Sequence, residues 1–225
     1  MKTTIIAISD LHGRLPDVPK CDILVIAGDL CPATNHRLEY QAWWLCGTFA
    51  EWCRRQPTDK IIAVPGNHDW IMQKEPKYLW NLPEVWTVLI DESYEYRGIK
   101  FHGTPWQLIF NNWAFNLDEE GLAKKYTLIP PDTNVLISHG PPFGYLDTVN
   151  TRPFEHLGSK ALAETTAELN IPLTIFGHIH SGHGIQLHQG RYYVNASILN
   201  ESYHQVYAPI KIEFEGNRLL SVEQL

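Results

Sequence analysis

The apolar residues of this chain fall into short continuous runs separated by polar turns. Residues 3–8 (TTIIAI), 23–27 (ILVIA) and 61–64 (IIAV) are β-branched or apolar almost throughout. Such runs predict strands covered on both faces, since a strand with one wet face alternates apolar with polar. Between 37 and 55 the rhythm changes. Leu38, Ala42, Leu45, Phe49 and Trp52 recur at spacings of three and four, which predicts an amphipathic helix with Cys53 beside its stripe.

Further along, 86–90, 94–96 and 99–103 are short strand candidates broken by turn residues, which suggests antiparallel or mixed pairing. Residues 118–126 and 156–169 read as helices, and 135–138, 173–176, 192–196 and 210–214 as strands. No repeat, low-complexity segment or linker interrupts the chain. Strands alternate with helices early and cluster later. The expectation is one α/β domain spanning 1–225, with two packed mixed β-sheets and helices outside them.

Composition narrows this little. The chain has 225 residues, 44% of them hydrophobic, enough for one sizeable core. Its formal net charge of -7 disfavours long nucleic acid and anionic membrane as partners. No apolar run nears the roughly 20 residues that span a bilayer. The opening MKTTIIAISDLHG reads as a first strand, not a signal peptide. Cys21, Cys31, Cys46 and Cys53 form no CxxC pair. They are expected to be buried free thiols, consistent with a cytoplasmic location.

The polar residues gather at the strand ends. SDLHG follows the first strand and brings Asp10 and His12. GDL follows the second with Asp29, and PGNHD the third with Asn67, His68 and Asp69. SHGPP brings His139, and GHIH brings His178 and His180. In an α/β sheet the carboxyl ends of strands lie along one edge, where ligand sites form. Oxygen and imidazole donors without thiolate suit Mn, Fe, Ni or Zn better than a zinc finger. Neighbouring glycines, Gly13, Gly28, Gly66, Gly140 and Gly177, let the backbone approach closely. Residues i and i+2 of an extended segment face one side, so Asp10 with His12, and His178 with His180, can enter one site. Seven such donors are too many for one ion with an open position and about right for two ions sharing a bridge.

DLH, GDL, GNHD, SHG and GHIH, in this order over residues 10–180, resemble the five blocks of the calcineurin-like metallophosphoesterase superfamily. HGTPWQLIFNNWAFNL (102–117), SHGPPFGYLD (138–147) and VNAS (194–197) are similar to its metallophosphoesterase-domain-containing branch, grouped with class III cyclic nucleotide phosphodiesterases. The resemblance implies a four-layer α-β-β-α sandwich. It implies that Asp10, His12 and His180 hold one divalent ion, that Asn67, His139 and His178 hold a second, and that Asp29 bridges them. His68 would face the substrate, binding the phosphate or protonating the leaving oxygen, with Asp69 orienting it. The implied reaction is hydrolysis of a small phosphodiester, a cyclic nucleotide above all, by a metal-bridging hydroxide, with manganese the first choice of metal and Fe, Zn, Ni or Co alternatives.

Arg14 and His183 lie close enough to the blocks to reach substrate. Asn112 and Trp113 are candidates for a nucleobase pocket, whereas Trp106 is assigned to the core, as is at least one of Trp43 and Trp44. A phosphomonoesterase is the alternative within the enzyme class. CPATNH in place of VDRG after GDL, and GNHD in place of GNHE, argue against a protein Ser/Thr phosphatase. A non-catalytic scaffold of the same fold should show broken ligands, and here every position is filled. Because imidazoles bind metal only when neutral, activity is expected to fall steeply below about pH 6.

Overall fold

The computed structural model describes residues 1–77, 83–152 and 154–225. Its first sheet centres on the parallel strands β1 (Lys2–Ile8), β2 (Ile23–Ala27), β3 (Lys60–Val64) and β4 (Trp86–Val88). The second contains β5 (Glu92–Tyr96), β6 (Ile99–Thr104), β9 (Val135–Ser138), β10 (Leu173–Phe176), β11 (Gly184–His188) and β12 (Arg191–Asn195). In it, β6, β9, β10 and β12 run parallel, with antiparallel β5 and β11 at the edges. The first sheet is completed by antiparallel β13 (Ile210–Glu215) and β14 (Arg218–Gln224). Between β6 and β9 a small parallel pair forms, β7 (Gln107–Leu108) with β8 (Asn116–Leu117).

The two sheets pack face to face, and helices cover their outer surfaces. In β1, Ile5 and Ala7 join Val25, Ile62, Phe101, Ile137 and Ile175 between the sheets. Ile6 and Ile8 point the other way, onto Phe49, Trp52 and Met72. Those residues come from α1 (Leu38–Trp44), its π-helical continuation Leu45–Phe49, α2 (Ala50–Arg55) and α3 (Trp70–Lys74). The second sheet's outer face packs Leu136 against Leu122 and Tyr126 of α4 (Glu119–Tyr126) and Leu162 of α5 (Lys160–Glu168). The continuous apolar runs are thus explained: both faces of the central strands are dry, and each such side chain adds about 1.5–3 kcal/mol.

Several local expectations are corrected. The helix over 37–55 forms, but with a π-helical turn in its middle; Trp44 is buried and Trp43 is 64% exposed. The helix expected from 156 starts only at Lys160, where the Ser159 hydroxyl caps it by accepting from the Leu162 amide. His156 is drawn away instead, its Nδ1 2.6 Å from the buried Asp147 carboxylate. The strands β7, β8, β11 and β14 and the helix α3 were not foreseen. All four cysteines are free; three are buried, and Cys46 is exposed. Among the described residues no helix is long and apolar enough to cross a membrane.

Candidate metal centre and its cavity

The strands β1, β2, β3, β9 and β10 end at one edge of the sandwich, and the turns that follow them carry the seven donors. Four donors have left-handed backbones: Asp10 (φ 56°), His12 (45°), Asp29 (53°) and His178 (67°). Side-chain-bearing residues avoid this region, at a cost on the order of 1–3 kcal/mol each, so the surroundings must enforce it. The turns hold one another. The Asp10 amide donates to the Gly28 carbonyl at 3.0 Å and the His12 amide to the Asp29 carbonyl at 2.8 Å. The His178 amide donates to both Asp10 carboxylate oxygens at 3.0 Å, and the His68 amide to Asp29 Oδ1 at 2.7 Å. Glycine is required where turns touch. A Cβ on Gly28 (φ +106°) would overlap the His139 ring, and one on Gly66 would overlap the Asp29 amide and carboxylate.

The donor atoms converge as two sets. In one, His12 Nε2 lies 3.3 Å from His180 Nε2, and His180 Nε2 lies 3.5 Å from Asp10 Oδ1. In the other, Asn67 Oδ1 lies 2.9 Å from His139 Nε2 and 2.8 Å from His178 Nδ1. Asp29 Oδ2 stands between them, 3.5 Å from His12 Nε2 and 3.4 Å from His139 Nε2. Ligands about 2.0–2.2 Å from a metal are spaced about 2.8–3.6 Å apart in tetrahedral or octahedral geometry, so these spacings fit coordination polyhedra. The far ring nitrogens are anchored too. His139 Nδ1 donates to the Ala27 carbonyl at 2.9 Å and His180 Nδ1 to the Asn200 carbonyl at 3.0 Å. Such bonds turn the other nitrogen toward an ion and fix the ring. The His178–His180 turn is held in place by Asn195 of VNAS, whose side-chain amide donates to the Ile179 carbonyl.

The protonation states follow from burial and from the charges that the cluster brings together. Burial would raise the Asp29 carboxyl, but His139, His68 and His12 outweigh it and hold it well below the ordinary carboxylate range. Asp10 is likewise lowered, because its contacts with His180 overcome burial. Burial opposes the charge on His139 and His180, yet Asp29 raises the first and Asp10 the second, each to about 9. His12 and His178 go the other way, to about 4 and about 3, chiefly through burial. Two buried carboxylates are thus held ionised beside imidazoles that carry protons, a charge arrangement suited to a cation.

A cavity of about 800 Å³ opens in front of this cluster and is lined by His12, Asp29, Asn67, His68, His178 and His180, among others. Its lining also includes Ile109 and Phe110, 65% and 53% exposed, with Val149, Arg152 and the Asp147-held His156. Asp69 does not orient His68. Its buried carboxylate accepts from the amides of Leu30, Cys31 and Gly66 at 3.0, 2.8 and 2.7 Å, so it is a tie between turns. The four expected substrate contacts sit as follows. Arg14 donates to the Tyr203 carbonyl, Asn112 is exposed, and His183 stacks on Tyr207 and meets Gln224. Trp113 packs on His68, ring centroids 4.3 Å apart. None of these four lines the cavity. Trp106 packs on Phe115 and donates to Asp91, as a core residue should.

Three contributors carried no sequence signal. His36 Nε2 sits 2.8 Å from His68 Nδ1. Gln41 donates to the His68 carbonyl at 2.6 Å. Tyr203 stands edge-on to His12 and His180. His36 and Tyr203 lie in segments without periodicity, and Gln41 is a buried polar position inside a helix.

Residues 3–182 match the family described as calcineurin-like phosphoesterase. The chain is 32% identical over 243 residues to metallophosphoesterase domain-containing protein 1 of Homo sapiens, covering 96% of this chain and 72% of that protein. The same figures hold for the protein of that name from Mus musculus. Among solved structures, TT1561 of Thermus thermophilus is similar in fold, with a TM-score of 0.62 at 15% identity over 100% of this chain and 99% of that one.

Proposed function

Because this chain belongs to the calcineurin-like phosphoesterase family of metal-dependent phosphoester hydrolases, we propose that it is a phosphodiesterase for small diesters such as cyclic nucleotides, working with two divalent ions. The observation that carries the proposal is the pair of donor sets sharing Asp29 Oδ2 at the floor of one cavity. Asp10, His12 and His180 with Asp29 would hold one ion; Asn67, His139 and His178 with Asp29 would hold the other. Mixed oxygen and imidazole donors accept Mn, Fe, Zn, Ni or Co, and manganese suits the carboxylate and amide oxygens best. When bound, such ions polarise phosphoryl oxygens and lower the pKa of water.

The remaining work falls to the chain itself. Two divalent ions against two carboxylates leave the floor about +2, which draws in an anionic diester. His68 is fixed at its amide by Asp29 and at its carbonyl by Gln41, and its ring lines the cavity. It would donate a hydrogen bond, or a proton, to the leaving oxygen. A cavity of about 800 Å³ holds far more than a phosphate. Ile109, Phe110 and Val149 offer apolar contact to the organic part of a substrate, and exclude water from it, while Arg152 and His156 offer polar contact.

The test is hydrolysis by metal-stripped protein reloaded with manganese. The substrates are an aryl phosphodiester, an aryl phosphomonoester, and 2′,3′- and 3′,5′-cyclic AMP, with bound metal counted per chain. Diester turnover with little monoester turnover, at two ions per chain, is the expected result. A preference for the monoester would make the enzyme a phosphomonoesterase. One ion per chain at full activity would refute the paired-ion reading.

A further inference from the structure

We propose that His36 is a positioning residue for His68, holding its Nδ1 so that the opposite ring nitrogen is presented to the substrate's leaving oxygen. The inference rests on the reading of His68 as the residue facing that oxygen. The contact is direct: His36 Nε2 lies 2.8 Å from His68 Nδ1, in a partly buried setting. Trp113 touches both rings, its centroid 4.3 Å from that of His68 and 4.9 Å from that of His36. The His12 ring meets His68 edge-on at 4.7 Å. The His68 backbone is already pinned by Asp29 and Gln41. Those bonds leave the side-chain torsions free, and the His36 bond is the one that fixes a ring nitrogen of His68.

The neighbouring carboxylate cannot do this work. Asp69 follows His68 in the chain, but three backbone amides occupy its oxygens. A neutral imidazole is left as the orienting group. Burial, and after it the neighbouring His68, lower His36 from its ordinary value, so it stays neutral near pH 7 and keeps one ring nitrogen free to accept. With the Nδ1–H of His68 donating to His36, Nε2 faces the substrate, and Nε2–H is the donor to the leaving oxygen. As the P–O bond breaks, its electron pair stays on the leaving oxygen, which takes the Nε2 proton. The attacking water releases a proton to solvent, and solvent reprotonates His68. A neutral partner also adds no negative charge beside the metal floor, so the field that draws in an anionic diester is kept.

The experiment uses the full, manganese-loaded chain and two methyl aryl phosphates that differ only in the leaving group, 4-nitrophenol or phenol. His68→Ala comes first: it should lose turnover on the phenyl ester far more than on the 4-nitrophenyl ester. His36→Ala should repeat that pattern more weakly. Its kcat on the phenyl ester should fall about tenfold, the scale of one hydrogen bond. Its loss on the 4-nitrophenyl ester should be about threefold or less, with KM and metal content unchanged. His36→Gln, which keeps a side-chain donor and acceptor, should recover most of the phenyl-ester rate. If His36→Ala fails to fold, His36→Leu, which fills the space but offers no acceptor, takes its place in the same leaving-group comparison. Equal losses on both esters, or none, overturn the inference when His68→Ala shows the expected pattern. A His68→Ala enzyme indifferent to the leaving group overturns the reading of His68 and the inference with it.

Discussion

Replacing Asp69 with alanine tests whether this carboxylate ties turns together or takes part in the chemistry. It accepts from the amides of Leu30, Cys31 and Gly66. Leu30 and Cys31 follow Asp29, and Gly66 precedes Asn67, so one side chain joins the turns that carry a donor to each metal set. Alanine leaves three buried amides without a partner, at about 1–3 kcal/mol each, or ~3–9 kcal/mol together. Part of this is returned. Burial, then the nearby Asp29, raise the Asp69 carboxyl above its ordinary value. A raised carboxyl costs stability once pH exceeds its unfolded value, so at pH 7 the ionised group carries a penalty that alanine removes; in acid that relief disappears. The expected net loss is about 3 kcal/mol or more, which for a chain of this size lowers Tm by about 6–12 °C. Metal content should fall alongside, since the turns bearing Asp29 and Asn67 are no longer joined. Calorimetry with and without manganese, together with metal analysis, reads both. An unchanged Tm and full metal content with reduced kcat would refute the reasoning and return Asp69 to the chemistry.

Asp29→Ala removes the oxygen common to both donor sets; metal analysis should find both depleted, and turnover should fall by at least about 10²–10³-fold, the scale of losing one charge-stabilising group. Full occupancy of either set in that variant would show that Asp29 is not shared. Metal binding should also depend on pH well above the range where free imidazole titrates. His139 and His180 are raised to about 9 in the metal-free chain, so an incoming ion must displace their protons. His180 and His139 belong to different donor sets, so between pH 7 and 8 the logarithm of apparent affinity for each ion should rise by nearly one per pH unit, and titration calorimetry in buffers of different ionisation enthalpy should record about two protons released when both ions bind at pH 7.5. The same shifts fix the sign for the metal-free fold. The contribution of these two histidines is complete below about 6.5 and is lost as pH rises through about 9. A metal-free Tm that climbs from pH 7 to 9.5 would contradict it.

What could be read from the sequence follows from where the physics is local. Residues 23–27 are apolar at every position because both faces of that strand are dry. Its end is therefore marked, and Asp29 stands at a definite place past it. The same holds for Asp10, His139 and His178. For these residues backbone direction alone brings the side chains to one edge. The edge strands β11 and β14 were missed because a wet face and polar composition erase that mark. The helix expected from 156 has the right rhythm, but Asp147 captures His156 and delays the start to Lys160.

The groups around the substrate obey no such rule, and Asp69 and His36 show why. Asp69 is adjacent in sequence to His68, which invites a functional pairing. Its fate is decided by three amides, two of them nearly forty residues away in the chain. His36 lies in a segment with no periodicity, and its partner is known only once β2 and β3 are side by side and α1 has placed Gln41 beneath the His68 carbonyl. The apolar part of the cavity wall likewise depends on how the β7–β8 segment and the residues before α5 settle against the second sheet. Trp106 goes inward to Asp91 and Phe115, and that leaves Ile109 and Phe110 on the cavity side. The candidate metal ligands are legible because strands aim them, whereas the residues lining the rest of the cavity are set by loops that only tertiary contacts aim. Mutations in the loops that carry Ile109, Phe110 and His156 should therefore shift KM between diesters while leaving metal content unchanged. Metal loss there, measured beside KM, would show that the two layers are not separable.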